Sequence, residues 1–448
     1  MMRQLFLLTF IATTTFAFGQ DRLAIVNGTI IDGTDHPLRT NATVIVQGKK
    51  IAAITDAKKT PLRGTKNIDG TGKFLIPGLW NNDLHGRSYG NAKSALGQLL
   101  SYGITSVRDM GAPLDDIVRL RAATASGALV GPRFFIAGPL MEGPVPVQMS
   151  LIVDLFSETQ ARDEIKLLKQ HNVDYVEVDT TLTPELYWAV ADEARRQGLS
   201  LVGHIPAKIA ARDVVKAHQK NVEHLAGRFL NVLISCSSDE AYFDEVIGKT
   251  YDDLLIAAKE NRQGNEPQFR ADFDERLLDT FDESKAQRLY RLYAQSRVAQ
   301  TPTLYALNTL WQSNKDGQKL NEADMEAGQR IFAKDLEIVG AMKRAGVTIL
   351  AGTDGSYQQG GDALYSELEL LVKAGLTPLQ ALQAASRDAA KAMDVSREVG
   401  TIEVGKLADL VLLDTNPLEN ISNIRQISGV VLHGRFFSKE QISAMRRQ

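Results

Sequence analysis

Cysteine is almost absent: Cys236 is the single one in 448 residues, which excludes an intrachain disulfide and any cysteine-built metal cluster. With no nucleophile signature around it, Cys236 reads as structural. A surplus of one charge is also missing. Lysine and arginine together number 51 against 54 aspartates and glutamates, a formal net charge of −3. Acids and bases are interspersed, so no basic stripe invites nucleic acid or an anionic membrane surface. Beyond the first twenty residues no apolar run approaches the ~20 residues that a bilayer span needs, and stable membrane insertion is not expected. Histidine is scarce as well, with only seven in the chain, which makes their placement informative.

The chain opens with MMRQLFLLTFIATTTFAFGQ. Arg3 supplies a positive start, Leu5 to Ala12 an apolar run, and Ala17 and Gly19 the small residues before a cut. This predicts a signal peptide over residues 1–19, cleaved near Gly19–Gln20, and a secreted or periplasmic protein. The apolar run is too short for an anchor.

Two kinds of texture follow. Near the start, AIVNGTIIDGT and ATVIVQGKKIAAIT alternate β-branched stretches with Asn-Gly, Asp-Gly and Gly-Lys breaks, the pattern of hairpins. GTIEVGKLADLVLLDTNPL and ISGVVLHGRFF repeat it near the end. Segments 20–74 and 396–448 are therefore expected to pair into one small β domain. Between them, over 75–395, short apolar runs alternate with amphipathic segments such as ARDEIKLLKQH and PELYWAVADEARRQG. That alternation predicts βαβ units around a parallel sheet. Eight units can be counted, which suits a (β/α)8 TIM-type barrel, although an open doubly wound sheet shares the periodicity. A charged, helical stretch from Ser237 to Arg297 breaks the rhythm after the sixth strand. It reads either as a lid or as a surface excursion.

Polar residues that close apolar strands carry the chemistry in such a fold, because barrel sites form at strand C-termini. Asp83 and His85 close the first strand, two apart and so on one side of it. Glu177 lies in the fourth strand, His204 ends the fifth, His224 the sixth and Asp354 the eighth. Three of the seven histidines thus stand at strand ends, while His36, His171, His218 and His433 fall in turns, helices or the terminal β region. Imidazole and carboxylate converging on one mouth form a set of ligands for divalent cations. Three carboxylates there would repel one another without a cation, and two divalent ions would nearly balance them. Arg108 and Asp109, after the second strand, are expected to pair structurally. Tyr305, after TPTL at the seventh strand, is a candidate to line the substrate pocket. GTIEVGKLADLV lacks the spacing and setting of a phosphate loop and reads as hairpin.

In order and spacing, IPGLWNNDLH, GITSVRDMG, GPRFFIAGP, LVGHIP, VEHLAG, AGTDGS, ELELLVKAGLTPLQALQAAS and GTIEVGKLADLVLLDTNPL resemble the amidohydrolase superfamily. The likeness is to its imidazolonepropionase-like and prolidase-like branch. It implies a metal-bearing barrel, a β-sandwich made from both termini, and hydrolysis of amide or other carbon–nitrogen bonds, sometimes of esters or lactones. It also implies that Asp354 is the general base, that His204 and His224 are metal ligands, and that a homo-oligomer is open to the chain.

The departures from that pattern are informative. The superfamily usually closes its first strand with His-x-His, where this chain has Asp83. Its fourth strand usually carries a carboxylated lysine bridging two metals, where this chain has Glu177. Both replacements keep an oxygen ligand, which favours a re-tuned site over a dead one. A carboxylated lysine reaches roughly 3–4 Å further than glutamate. Two metals bridged by Glu177 therefore compete with one metal held by His204, His224 and Asp354 or Glu177. More carboxylate hardens the site toward Mn, Mg or Fe, with Zn still open. The expected function is a secreted metal-dependent hydrolase of a small amide, dipeptide, N-acyl or cyclic amide compound. Two alternatives stand beside it: a non-catalytic small-molecule-binding descendant, and an ester or lactone hydrolase or lyase on the same metal site.

Overall fold

The computed structural model describes residues 22–56, 64–86, 88–144, 149–225, 230–260, 271–310 and 321–447. The segment read as an export signal lies outside the described residues. The two ends of the chain do meet. Arg22–Ile30, Arg39–Gln47, Lys50–Asp56, Lys66–Asp69 and Phe74–Pro77 share one eight-stranded sheet with Leu410–Leu413, Ile427–Leu432 and Arg435–Ser438. Leu410–Leu413 is inserted between Phe74–Pro77 and Ile427–Leu432, antiparallel to both. Hydrogen bonds link all eight strands of this small β domain into one continuous sheet.

Strand alternation explains why this sheet packs on both faces. Leu75, Leu410, Leu412 and Val431 join Leu23, Ile25, Val44 and Val46 in a small core of their own. Their neighbours Ile76, Val411, Leu413, Val430 and Leu432 belong to the large core of the middle region. The terminal sheet is therefore a wall of the main body.

The middle is mixed α/β with parallel strands. Leu79–Leu84, Ile104–Asp109 and Arg133–Ile136 pair in that order, Tyr175–Val178 pairs with Ser200–Gly203, and Asn221–Glu223 pairs with Ala299–Thr301. Single main-chain bonds connect these groups. Asp174 N–H donates to Ile136 O (2.9 Å), and Lys220 N–H to Leu201 O (2.7 Å). The eighth expected strand, in VTILAGTDG, is not a regular strand: Ile349 alone makes a bridge, with Gln300. Its backbone still links both neighbours, as Leu350 N–H donates to Gln300 O (2.8 Å) and Asn82 N–H donates to Ala351 O (2.9 Å). The segment then follows the first core strand to its end, with Asp354 N–H donating to Asp83 O (3.1 Å) and His85 N–H to Gly355 O (2.9 Å), and Asp354 takes a left-handed backbone there, φ 48°.

Helices between strands follow their sequence signals. PELYWAVADEARRQG becomes Pro184–Gln197, started by the Thr183 hydroxyl and Pro184 and ended by Gly198 in the left-handed region. Its Leu186, Tyr187, Val190 and Ala194 face the core. Within Ser237–Arg297, helices Glu240–Glu260, Ala271–Asp279 and Glu283–Ser296 are packed rather than loose, burying Phe243, Ile247 and Tyr251. The Tyr251 hydroxyl donates to Thr181 O (2.7 Å), just past the fourth core strand, at its C-terminal end.

Between those helices and Glu322–Arg344 lie two buried acids. Asp274 is fully buried, and both its carboxylate oxygens lack a hydrogen-bond partner among the described residues. Burial, with the charges of Asp324 and Asp272, pushes its pKa up to about 7. Asp335 is pushed to about 8 by burial and by Asp274. Folded chains therefore keep these protons above the ~4 at which an unfolded aspartate loses its own. Stability falls as pH rises from about 4 through these raised values, because the native state binds more protons there. Asp274→Asn is expected to raise the unfolding temperature at pH 8–9 and to change it little at pH 5, as thermal unfolding across pH would show. An equal effect at both pH values would refute this linkage.

Candidate metal centre

The C-terminal ends of the core strands come together because unusual backbone is tolerated there. Gly352 crosses so close to the first strand that an added Cβ would lie 2.6 Å from the Asp83 Cβ. Gly203, φ 116°, lies so close to Val178 that a Cβ would sit 2.2 Å from its carbonyl oxygen. Only glycine fits at either place. His224, Thr303 and Asp354 all take left-handed φ, 53°, 47° and 48°. For a β-branched threonine this is a true outlier, and such strain costs about 1–3 kcal/mol and concentrates at functional sites.

Asp83, His85 and Asp354 each offer a ligand atom within 4.8 Å of the other two, the one such group among the described residues. His85 Nε2 lies 3.5 Å from Asp83 Oδ1 and 3.3 Å from Asp354 Oδ1. His224 approaches the same two acids, with Nε2 3.8 Å from Asp83 Oδ2 and Nδ1 3.9 Å from Asp354 Oδ2. The His204 ring meets His224 edge-on at 4.8 Å between centroids. Five of the six residues expected as ligands thus form one chain of contacts. Glu177 is buried beside them, facing the charges of Asp83, Glu223 and Asp179.

The electrostatics describe carboxylates crowded out of water. Burial, reinforced by Asp354, raises Asp83 to about 8. Burial also lifts Glu177 well above the usual carboxylate range, with Asp83 and Glu223 adding to it. Asp354 resists the same burial, because His224 and His85 hold it well below the ordinary value. Burial opposes charge on His85, yet its hydrogen bond with Asp354 and the Asp83 carboxylate outweigh that and raise it to about 9. His224 is pushed down to about 4, mainly by burial. Both oxygens of Asp83 and Oε2 of Glu177 are buried without a hydrogen-bond partner among the described residues. Buried acceptors left open are costly unless something satisfies them. A divalent cation fits this donor set.

Two other expectations fare differently. Arg108 and Asp109 do not pair with each other, since neighbours on a strand project to opposite faces. Arg108 instead binds Glu223, and its Nε donates to Asn82 O (2.7 Å). Asp109 accepts from the Tyr357 hydroxyl. Tyr305 sits in the first turn of helix Leu304–Leu310, its N–H donating to Glu367 Oε2 (2.7 Å).

Sequence reading passed over the groups that hold the histidines. Asp179 Oδ1 lies 2.9 Å from His204 Nδ1, with Thr180 Oγ1 2.7 Å from the same nitrogen. His224 Nδ1 meets Thr303 Oγ1 at 2.5 Å. The available signal was the run VEVDTT: Asp179 stands two past Glu177 and so on its side. Glu223, in VEHLAG, precedes His224 directly.

Comparisons with known proteins agree with this geometry. Stretches of the chain match imidazolonepropionases: 31% identity over 151 residues in that of Sphingopyxis alaskensis, and 38% over 106 in that of Maricaulis maris. These cover 31% and 23% of this chain, and 37% and 25% of the relatives, so the chain matches well under half of either. Among solved structures, a Xaa-Pro dipeptidase with bound methionine superposes with TM-score 0.71 at 19% identity, covering 93% of this chain and all of that one. The ochratoxinase of A. niger gives 0.69 at 18%, covering 94% and 96%. At such identity these structures speak for the fold alone. The amidohydrolase family pattern itself matches residues 74–436. With most of its length inside that match, the chain belongs to the amidohydrolase family.

Proposed function

We propose that the protein is an exported metal-dependent hydrolase that cleaves an amide or other carbon–nitrogen bond in a small molecule. The observation that carries this reading is the group of Asp83, His85 and Asp354, in which the buried Asp83 leaves both carboxylate oxygens without a hydrogen-bond partner among the described residues, as a ligand set for a divalent cation would. The ring of main-chain bonds around the eight core segments is read as a closed (β/α)8 barrel over 75–395, and 20–74 with 396–448 as the companion β domain. Export rests on the N-terminal sequence, with cleavage near Gly19–Gln20.

Asp83, His85, Glu177, His204, His224 and Asp354 would hold one or two divalent ions, Zn, Mn or Fe. An ion there supplies Lewis acidity, acidifying water and polarising a carbonyl. Asp354 takes the proton from the attacking water and hands it to the leaving nitrogen. Its position suits that role: its side chain is 39% exposed, whereas Asp83 is 1% exposed. Asp354 also stays ionised while Asp83 and Glu177 are raised. Arg108, paired with Glu223, offsets part of the carboxylate charge facing Asp83. Tyr305 lines the substrate side. The family frame and its imidazolonepropionase relatives support carbon–nitrogen hydrolysis as the reaction class.

Two outcomes test this. Elemental mass spectrometry of the purified chain should find one or two divalent metals, falling in Asp83→Ala and Glu177→Ala. One metal insensitive to both changes would restrict the site to the remaining ligands. No metal, even after Mn or Zn reconstitution, would sink the hydrolase reading in favour of a binding protein. Against a panel of dipeptides, N-acyl amino acids and cyclic amides, Asp354→Asn should lower kcat by about 10²–10⁴-fold with circular dichroism unchanged. Turnover retained in that variant would remove Asp354 from the base role, and turnover of esters or lactones alone would change the reaction.

A further inference from the structure

We propose that Asp179 is a positioning residue for His204, holding the imidazole through Nδ1 so that Nε2 is the nitrogen presented to the metal centre. This rests on the metal-centre reading above. Asp179 directly follows the fourth core strand, and its own loop shapes its carboxylate. Oδ1 accepts from Thr180 N–H (2.6 Å) and from the Thr180 hydroxyl (2.7 Å), and lies 2.9 Å from His204 Nδ1. The main chain fixes both partners. Asp179 N–H donates to Met141 O, His204 N–H to Val178 O and Ala207 N–H to Thr180 O, each at 2.9 Å. On its far side the loop is pinned by Glu142, which accepts from Thr181 N–H (2.8 Å) and Gly143 N–H (2.9 Å).

The three imidazoles of the site are not equivalent. His204 Nδ1 meets both the Thr180 hydroxyl (2.7 Å) and the Asp179 carboxylate (2.9 Å), whereas His224 Nδ1 meets the Thr303 hydroxyl and has carboxylate contacts of 3.8 Å or longer. His85 Nδ1 is buried without a hydrogen-bond partner among the described residues. Among the described residues, His204 alone has a carboxylate at hydrogen-bond distance from Nδ1. An imidazole donating Nδ1–H to a carboxylate is fixed in orientation, and its Nε2 becomes a stronger donor; removing such a partner costs 10–100-fold in metal affinity. Gly203, directly before His204, allows the close approach to Val178 that a Cβ would block at 2.2 Å from its carbonyl oxygen.

The test uses the mature chain carrying Asp179→Asn or Asp179→Glu, with two readouts. Zinc affinity, by competition with a chromophoric chelator, should fall about 10–100-fold in Asp179→Asn and recover in part in Asp179→Glu. The unfolding temperature of the metal-free variants should stay at the wild-type value. In metal-free protein labelled with 15N-histidine, the His204 Nδ1–H proton should resonate far downfield and exchange slowly, and both features should be lost in Asp179→Asn. Wild-type zinc affinity in that variant, or an unchanged proton signal, would overturn the proposal. If Asp179→Asn does not fold, the wild-type signal decides: a rapidly exchanging proton refutes the pairing. A wild type that takes up no zinc would refute the metal-centre reading, while the proton signal still decides on Asp179.

Discussion

Carboxylates gathered out of water around one point are the constraint on which the candidate centre depends. Asp83, Glu177 and Glu223 are all buried, and Asp354 stands at the rim beside them. In a low dielectric such a group cannot remain ionised unaided. Arg108 answers part of the charge through Glu223, and His85 bridges Asp83 and Asp354. What is left open, on Asp83 and Glu177, is a set of buried acceptor oxygens that a divalent cation would satisfy. The chemistry proposed for the protein and the electrostatics of its interior are thus one problem.

Bringing those acids together requires backbone that most sequences avoid. Gly203 and Gly352 permit approaches that any Cβ would block, and His224, Thr303 and Asp354 adopt left-handed φ. Such conformations persist only where surrounding packing over-determines them. Here that packing is supplied by a large core reaching from the helices to the inward face of the terminal sheet. The distant ends of the chain therefore help to hold the body that carries the site, with Leu410–Leu413 locked between strands from both ends.

The histidines show how local chemistry divides similar residues. His204, beside Asp179, is raised to about 9 although burial opposes its charge, whereas His224, beside a threonine hydroxyl, is lowered to about 4. Two imidazoles 4.8 Å apart thus differ because the Asp179 carboxylate outweighs burial at His204, while burial prevails at His224. Spacing along the chain cannot show this, because each backing group comes from a different strand end.

The sequence by itself determined the alternation of strand and helix, the shared β texture of the two ends, and the residue types at strand ends. These are period-two and period-3.6 patterns plus turn chemistry, all written locally. It also marked Asp83, His85, His204, His224 and Asp354, because a polar residue closing an apolar run stands out. Only the tertiary structure decided that the terminal strands share one sheet, that the eighth segment is not a regular strand, and that Arg108 pairs with Glu223 rather than Asp109. It alone set Asp179 behind His204 and Thr303 behind His224. Those outcomes depend on which strands lie side by side and on sub-ångström clearances at Gly203 and Gly352, and residues far apart in sequence fix both.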